Sequence, residues 1–298
     1  MKLTPLDISG IKRDKLALII NTLLSSAGIT RGELAVRCGV STMTAGKVVS
    51  AMLDSGHATL SKDYDREGRY LDHIYPSGIF KFLIIELYEG SMSATVYDAL
   101  DNIHLSYSQP RNESVPRELD EAAFISMARE QSKCACLGAV IYSEGTATPI
   151  TEEMPSFSRR TAAAKYVSSA HPQGCVLLVG AERRGDIMLI SDGQPIKGKC
   201  APICAPTEIK SELELLRYLG ERLPSLFSFI LPDKIIIDTN GLSVTRRFAT
   251  ALSELLCESC LLTKEKLPEI ITTDGISPPC RAVIGQLILE YSKSLSAL

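Results

Sequence analysis

The hydrophobic positions near the start of the chain recur every three to four residues, which is the spacing of one buried helix face. They predict a first helix over Ile11–Ser25. Thr30 followed three residues later by Glu33 is typical of a capping box. We therefore expect a second, short helix to begin there and to end at Cys38-Gly39.

A third helix is predicted after a connection of only three residues, Gly39-Val40-Ser41. Ser41 is a suitable N-cap for this helix, and Gly56 marks its end. Such a short connection makes the two helices cross steeply. This arrangement is typical of a helix-turn-helix, whose second helix fits the major groove of DNA, about 12 Å wide.

The residues that follow predict a β-hairpin, or wing. Ala58–Leu60 is one strand, Arg69–Tyr75 is its partner, and a charged tip runs from Lys62 to Gly68 between them. Together with the three helices, this hairpin predicts a winged helix-turn-helix domain over residues 1–76.

The start of the third helix and the wing offer side chains that suit a nucleic acid. Hydroxyls and a cation at a helix start can bond phosphate oxygens and base edges, and cations on a wing can reach the backbone or the minor groove. Four acidic residues among the wing cations would oppose phosphate, so a protein-interaction domain is the alternative. The expected DNA contacts are Thr30, Arg31, Ser41, Thr42, Met43, Thr44, Lys47, Lys62, Arg66 and Arg69.

Beyond Pro76-Ser77-Gly78 the pattern changes to strands and helices, which predicts two α/β units in series. We expect one lobe at 77–172, completed by a C-terminal helix at 280–298, and a second lobe at 173–279. The predicted strands are Phe80–Glu86, Ser93–Asp98, Ala135–Tyr142, Gly174–Gly180, Asp186–Ser191 and Lys234–Asp238, and the predicted helices are Leu119–Gln131, 160–170, 208–221 and 243–256.

Composition is that of an ordinary globular protein rather than a disordered or disulfide-stapled one. Of the 298 residues, 45% are hydrophobic and 22% are charged, and no apolar stretch approaches the ~20 residues that cross a bilayer. Residues 1–75 carry 10 Lys+Arg and 8 Asp+Glu, a net charge of +2 that permits nucleic-acid binding without indicating it. Nine cysteines and no signal-peptide pattern favour a cytoplasmic protein.

Several short segments, in order along the chain, resemble the repressor branch of the ROK family. The resemblance implies an α/β protein in which a winged helix-turn-helix precedes a two-lobed actin-like ATPase domain of the ribonuclease H-like, sugar-kinase type. The segments are Ile29–Ala35 and Gly39–Thr44 for the DNA-binding helices, Gly68-Arg69-Tyr70 after the wing, Thr161–Ala164 after the catalytic aspartate, Leu231–Ile237 before the adenosine site, and Ala282–Gly285 for the final helix.

The same resemblance implies that the kinase chemistry is lost. Glu86–Gly90 replaces the Asp-x-Gly-x-Thr phosphate turn, and Gly180–Asp186 replaces a glycine-rich phosphate loop. Arg159 stands where the family has its general base, and a guanidinium stays protonated. The sugar clamp and the zinc loop would fall between Lys199 and Leu219, where the interval is too short. We therefore expect no enzymatic activity and no cofactor.

Two arginine pairs and two cysteine pairs are the remaining candidates for a ligand site. The resemblance places the arginines at the cleft between the lobes, where they would bind an anion such as a phosphorylated sugar, unless they form salt bridges instead. Two thiolates fall short of the four ligands of structural zinc, so no metal is expected. The arginines are Arg159, Arg160, Arg183 and Arg184, with Glu152, Glu153, Glu182 and Asp186 as bridging partners, and the cysteines are Cys200 with Cys204 and Cys257 with Cys260.

These patterns predict a repressor of transcription for a sugar or carbohydrate-related operon. Its expected partners are double-stranded DNA, a second copy of the chain in a homodimer or tetramer, and a small anionic or sugar effector. The alternative is a sugar-kinase-like enzyme or pseudo-enzyme whose N-terminal domain binds a protein.

Overall fold

The computed structural model describes residues 11–297 apart from 65–67, 69, 79, 89, 101, 134–136, 143–153, 181–186, 197–208, 210, 240–241, 243, 261–262 and 274–276. The chain divides into two compact units. The first comprises Met1–Ser158 with Val283–Leu298, and the second comprises Arg159–Ala282. The lobe boundaries at 172 and 279 stay predictions.

Three helices and a small sheet form the N-terminal part of the first unit. The apolar faces of the helices meet in a core that includes Ile19, Leu34 and Val48, all fully buried. The sheet is antiparallel with the strand order β1-β3-β2. The elements are α1 (Arg13–Leu24), β1 (Ile29–Thr30), α2 (Arg31–Cys38), α3 (Thr42–Asp54), β2 (Ala58–Tyr64) and β3 (Tyr70–Pro76).

The predicted helix ends are confirmed by their hydrogen bonds. The backbone N–H of Thr30 donates to the Glu33 carboxylate at 2.9 Å, and the Glu33 N–H donates to Thr30 Oγ1 at 3.2 Å, which completes the capping box. Gly39 ends α2 with φ of +59°, a left-handed conformation that suits glycine. Ser41 Oγ accepts from the Thr44 N–H at 3.1 Å and caps α3.

The wing is longer than the sequence predicts. Its strands β2 and β3 pair over seven residues each, so Lys62 lies within β2 opposite Asp72 and not in the tip. The pairing extends to Tyr64 opposite Tyr70, where two aromatic side chains contact each other across the strands. Arg66 and Arg69 lie outside the described residues.

A five-stranded sheet with the order β6-β5-β4-β7-β8 forms the rest of the first unit. Strands β4 to β6 are antiparallel neighbours, whereas β7 and β8 are parallel to their neighbours. Helix α4 packs Phe124 and Ile125 against the apolar side chains of β4 and β5. The elements are β4 (Lys81–Leu87), β5 (Ser91–Asp98), β6 (Ile103–Pro110), α4 (Arg117–Gln131), β7 (Leu137–Tyr142) and β8 (Ser156–Ser158).

The second unit is a sheet with helices on both faces. Its strand order is β11-β10-β9-β12-β13. Alternate residues of the central strands pack against α5 on one side and against α6 and α7 on the other, as Ile236 and Ile237 do. The elements are α5 (Arg159–Ala170), β9 (Cys175–Gly180), β10 (Ile187–Ser191), β11 (Gln194–Pro195), α6 (Glu212–Phe227), β12 (Lys234–Asp238), α7 (Phe248–Cys260) and β13 (Glu269–Thr273). The last helix, α8 (Pro278–Ala297), begins in the second unit and from Val283 onward belongs to the first.

Five strands and two helices differ from the sequence prediction. The strands β1, β6, β8, β11 and β13 were not predicted, and α7 covers Phe248–Cys260 instead of 243–256. Helix α6 continues through Pro224 to Phe227, beyond its predicted end at residue 221. Among the described residues, no helix combines the length and the apolar character that a membrane span requires.

Candidate nucleic-acid interface

The start of α3 presents polar side chains to solvent. Ala45, Val48, Val49 and Met52 lie on the buried face of this helix, and its opposite face points outward. Of the predicted contacts on this helix, Thr42 and Lys47 are exposed. Met43 is also exposed, with 73% of its surface accessible, and Ser41 and half-buried Thr44 are joined by a hydroxyl hydrogen bond of 2.9 Å. The structure therefore brings five of the predicted residues together on one surface.

The electrostatics at the start of α3 favour an anion. The first turn of a helix carries unpaired backbone N–H groups and a partial positive charge. The first turn of α3 contains no acidic residue. Lys47 lies one turn further on and adds a positive charge. A phosphate group near this end would therefore meet favourable dipoles and a cation.

The start of α2, unlike that of α3, carries an acidic residue in its first turn. Arg31 is exposed at its first position and Thr30 is half-buried. Glu33 lies in the same turn, but its carboxylate is engaged by Thr30. The backbone hydrogen bond from Thr30 is the main reason that the pKa of Glu33 is lowered. Glu33 is therefore a fixed anion that serves the helix cap.

The wing presents an aromatic pair that the sequence analysis did not single out. Tyr64 and Tyr70 are both about two-thirds exposed, their ring centroids lie 4.4 Å apart, and their hydroxyls are hydrogen-bonded to each other. Alternation along the strands places them on the same sheet face as Lys62 and the buried Ile74. The face that packs on the helices at the base of the wing therefore continues outward as Lys62 opposite Asp72 and then as the two tyrosines. The sequence does contain a signal for this pair, because the two tyrosines flank a short charged stretch of the predicted hairpin and would therefore face each other across the strands.

The predicted arginine site lies elsewhere and is built differently. Arg159 is the first residue of α5, and its Nη2 donates to Asp238 Oδ2 at 3.1 Å. Both side chains are buried. Asp238 ends β12 and is not among the acids that the sequence analysis weighed as partners. Arg160 is half-buried next to it. Four predicted acids and the other arginine pair lie outside the described residues: Glu152, Glu153, Glu182, Asp186, Arg183 and Arg184.

The segment that resembles the first phosphate turn is occupied by the chain's own groups. Glu86 is buried in β4 and accepts a hydrogen bond from the Tyr88 hydroxyl at 2.8 Å. Arg111 donates through Nε to the Tyr88 carbonyl at 2.8 Å and also pairs with buried Glu121. The Arg111 N–H donates to the Gly90 carbonyl at 3.1 Å. These contacts hold the described part of the segment through side chains and carbonyls.

Cysteine chemistry receives no support from the described residues. Cys257 and Cys260 are half-buried on α7. Burial, and secondarily the neighbouring Cys257, raise the pKa of the Cys260 thiol. Cys200 and Cys204 lie outside the described residues. Within the described part of the chain, no three His, Cys, Asp or Glu side chains cluster as they would around a metal ion.

No family model and no curated protein matches the chain in sequence. Among solved structures, a ROK family protein from Streptococcus pneumoniae, solved with sucrose, matches 71% of this chain and 99% of its own at 12% identity and a TM-score of 0.45. A ROK family glucokinase from Streptomyces griseus, solved with glucose and AMPPNP, matches 70% and 98% at 12% identity and a TM-score of 0.45.

A regulator gives a longer match. A ROK family transcriptional regulator, described as a homologue of the E. coli MLC protein, matches 96% of this chain and 99% of its own. The identity is 12% and the TM-score is 0.57. This match confirms the resemblance that the sequence predicted: over nearly its whole length, the chain has the fold of a ROK family transcriptional regulator.

Proposed function

We propose that this chain is a DNA-binding repressor of transcription, with a winged helix-turn-helix at its N-terminus and an actin-like, ROK-type domain that has no kinase activity. We propose a sugar or carbohydrate-related operon as its target. The observation that carries the proposal is the exposed polar start of α3, which has a capped N-terminus, no acid in its first turn and Lys47 one turn on.

The wing supports the same proposal. A recognition helix in the major groove leaves a flanking hairpin close to the DNA backbone. Lys62 can reach a phosphate, and the hydroxyls of Tyr64 and Tyr70 are hydrogen-bond donors of the kind that contact phosphate oxygens. Arg66 and Arg69 are proposed to act beside them.

A homodimer is part of this proposal. Two copies of α3 related by a two-fold axis would read two half-sites, which raises affinity and specificity together. The DNA site should then have two-fold symmetry, with half-site centres about one helical turn, roughly 34 Å, apart or a multiple of it.

Loss of kinase activity is proposed from the two sites that resemble kinase parts. Arg159 cannot accept a proton from a sugar hydroxyl, and its guanidinium is bound to Asp238. The Glu86–Gly90 segment lacks the glycine-rich approach that phosphate needs. ATP-dependent phosphorylation of any hexose by the purified chain would overturn this part of the proposal.

The experiment that tests DNA binding removes one cation from α3. Lys47→Ala should weaken binding to the chain's own promoter region in a gel-shift assay, and the slope of log K against log salt should fall by about 1 for each bound copy, which is about 2 for the homodimer. Lys133→Ala is the matched control, because Lys133 is also exposed but lies beyond the end of α4. Equal affinities and slopes for the two variants would contradict the proposal.

The second candidate function is protein binding by the N-terminal domain. Val36 on α2 is 82% exposed, and together with Met43 it offers apolar surface that a protein partner would bury. Val36→Ser and Met43→Ser should abolish such an interaction. If the same variants leave a protein partner bound and weaken DNA binding, the DNA interface is favoured.

Effector binding is proposed for the arginines other than Arg159, because Arg159 is already engaged with Asp238. An anion bound through Arg160, Arg183 or Arg184 should raise the melting temperature of the folded chain as its concentration rises. A melting temperature that no sugar phosphate or sugar acid changes would contradict this role.

A further inference from the structure

A buried histidine lies where the recognition helix joins the wing. His57 follows the turn that ends α3 and precedes β2, and it is 2% exposed. Its Nδ1 lies 2.6 Å from Ser55 Oγ, and its Nε2 lies 2.8 Å from the hydroxyl of Tyr291 on α8. The contact with Tyr291 therefore joins two residues that are 234 positions apart in the sequence.

The hydrogen-bond pattern places a hydrogen on one nitrogen of this ring. Ser55 Oγ donates its single hydrogen to backbone carbonyls of α3, with the shorter distance, 2.7 Å, to Ala51. The hydroxyl must then accept from His57 Nδ1, which carries the ring hydrogen. Nε2 lies against the Tyr291 hydroxyl and accepts from it when the ring is neutral. Because the residue is only 2% exposed, burial favours this neutral imidazole.

Two further contacts tie His57 to the segment that leads to β4. The His57 ring centroid lies 5.3 Å from that of Phe80, which itself packs edge-on against Tyr291 at 5.3 Å. The N–H of Ser77 donates to the His57 carbonyl at 3.0 Å. The end of α3, the start of the wing, the segment that leads to β4 and the helix α8 therefore meet at His57.

We propose that His57 is a positioning residue that couples α3 to the C-terminal helix α8, so that affinity for DNA depends on the hydrogen bond between His57 and Tyr291. This inference rests on the proposed function. The coupling follows from the chain of contacts: Tyr291 holds the ring, the ring holds Ser55, and Ser55 is bonded to the last turn of α3. A small change in the angle of α3 misplaces its DNA contacts, since base recognition depends on geometry within tenths of an ångström.

The coupling is sensitive to pH because burial disfavours a charged imidazole. Burial lowers the pKa of His57, and a hydrogen bond to the Ser55 backbone acts in the opposite sense. The titratable group in contact with the ring is Tyr291. The charged residues nearest to these contacts along the same elements, Asp54 on α3 and Glu290 and Lys293 on α8, are all exposed. Protonation therefore favours the undocked state, and coupling is lost as the pH falls below about 6.5, the ordinary value for histidine.

The test measures DNA affinity of the full chain between pH 8 and about 5.5 for three variants, so that the titration range of histidine is covered. Tyr291→Phe keeps the ring contacts and removes only the hydroxyl, and it should weaken binding about three- to tenfold at pH 8, the range expected for one hydrogen bond. Tyr107→Phe is the matched control. It removes a buried tyrosine hydroxyl that has no hydrogen-bond partner among the described residues, and it should leave the affinity unchanged.

His57→Gln is the variant that separates positioning from simple packing. Its amide offers a donor and an acceptor but does not titrate, so it should retain most of the binding at pH 8 and abolish the loss at low pH. Two results would overturn the inference and leave the proposed function standing. One is that Tyr291→Phe binds DNA as tightly as the wild type, and the other is that the affinity of His57→Gln falls with pH as the wild-type affinity does. Failure of the wild type to bind any duplex would overturn the proposed function itself.

Discussion

The starts of α3 and α5 use polar side chains in opposite ways. At α3, Ser41 caps the helix and the polar residues of its first turn face solvent. At α5, two arginines occupy the end of the helix that already carries a partial positive charge, which is unfavourable for a cation. Arg159 is turned inward and neutralised by Asp238. A cationic residue near a helix start is therefore available to a ligand only when the fold does not itself need its charge.

The largest effect is expected at α5, where one partner of the buried pair is removed. Asp238→Ala leaves the Arg159 guanidinium buried without its carboxylate and should lower the free energy of unfolding by about 3–5 kcal/mol, measured by urea denaturation. The double variant Arg159→Met with Asp238→Leu removes both charges and should lie close to the wild type. A loss of less than about 1 kcal/mol, the value typical of an exposed ion pair, would contradict the role of Asp238 in neutralising Arg159.

A smaller effect is expected at α3, where the cap is removed. Ser41→Ala loses the acceptor for the Thr44 N–H and should lower the free energy of unfolding by about 1 kcal/mol. Ser50→Ala is the control, since Ser50 is exposed in the interior of the same helix and alanine there should raise stability slightly. Equal denaturation midpoints for the two variants would mean that the start of α3 is not fixed by its cap.

The smallest effect is a pH dependence at the start of α2. The pKa of Glu33 is lowered chiefly by the backbone hydrogen bond from Thr30. A lowered pKa in the folded state means that the ionised form is stabilising above the ordinary value of 4.5, and that this contribution is lost as the pH falls through the lowered value. Stability should therefore fall more steeply below pH 4.5 in the wild type than in Glu33→Gln, which keeps the capping geometry without titrating. Parallel curves would contradict the role of the carboxylate.

The helix ends of the N-terminal domain could be predicted because their chemistry is local. Thr30, Glu33, Gly39 and Ser41 each act within a few residues of their own position. The strands that were missed depend on distant neighbours. β13 is a short edge strand that forms by pairing with β12, 35 residues earlier in the chain, and its own residues show little alternation between buried and exposed positions.

The candidate sites follow the same division. The exposure of Thr42 and Lys47 follows from helical periodicity, so the sequence could place them. The partner of Arg159 is 79 residues away in the sequence, and the partner of His57 is 234 residues away. Such pairs depend on how the sheets and helices pack, which no local pattern contains.

The most direct test of the DNA-binding account is the ratio of specific to non-specific affinity. Duplexes selected from a random pool by the full chain should bind at physiological salt at least about a thousandfold more tightly than scrambled duplexes of equal length and composition, and they should contain two related half-sites. Equal affinity for selected and scrambled duplexes, at every salt concentration at which binding is detected, would contradict the account.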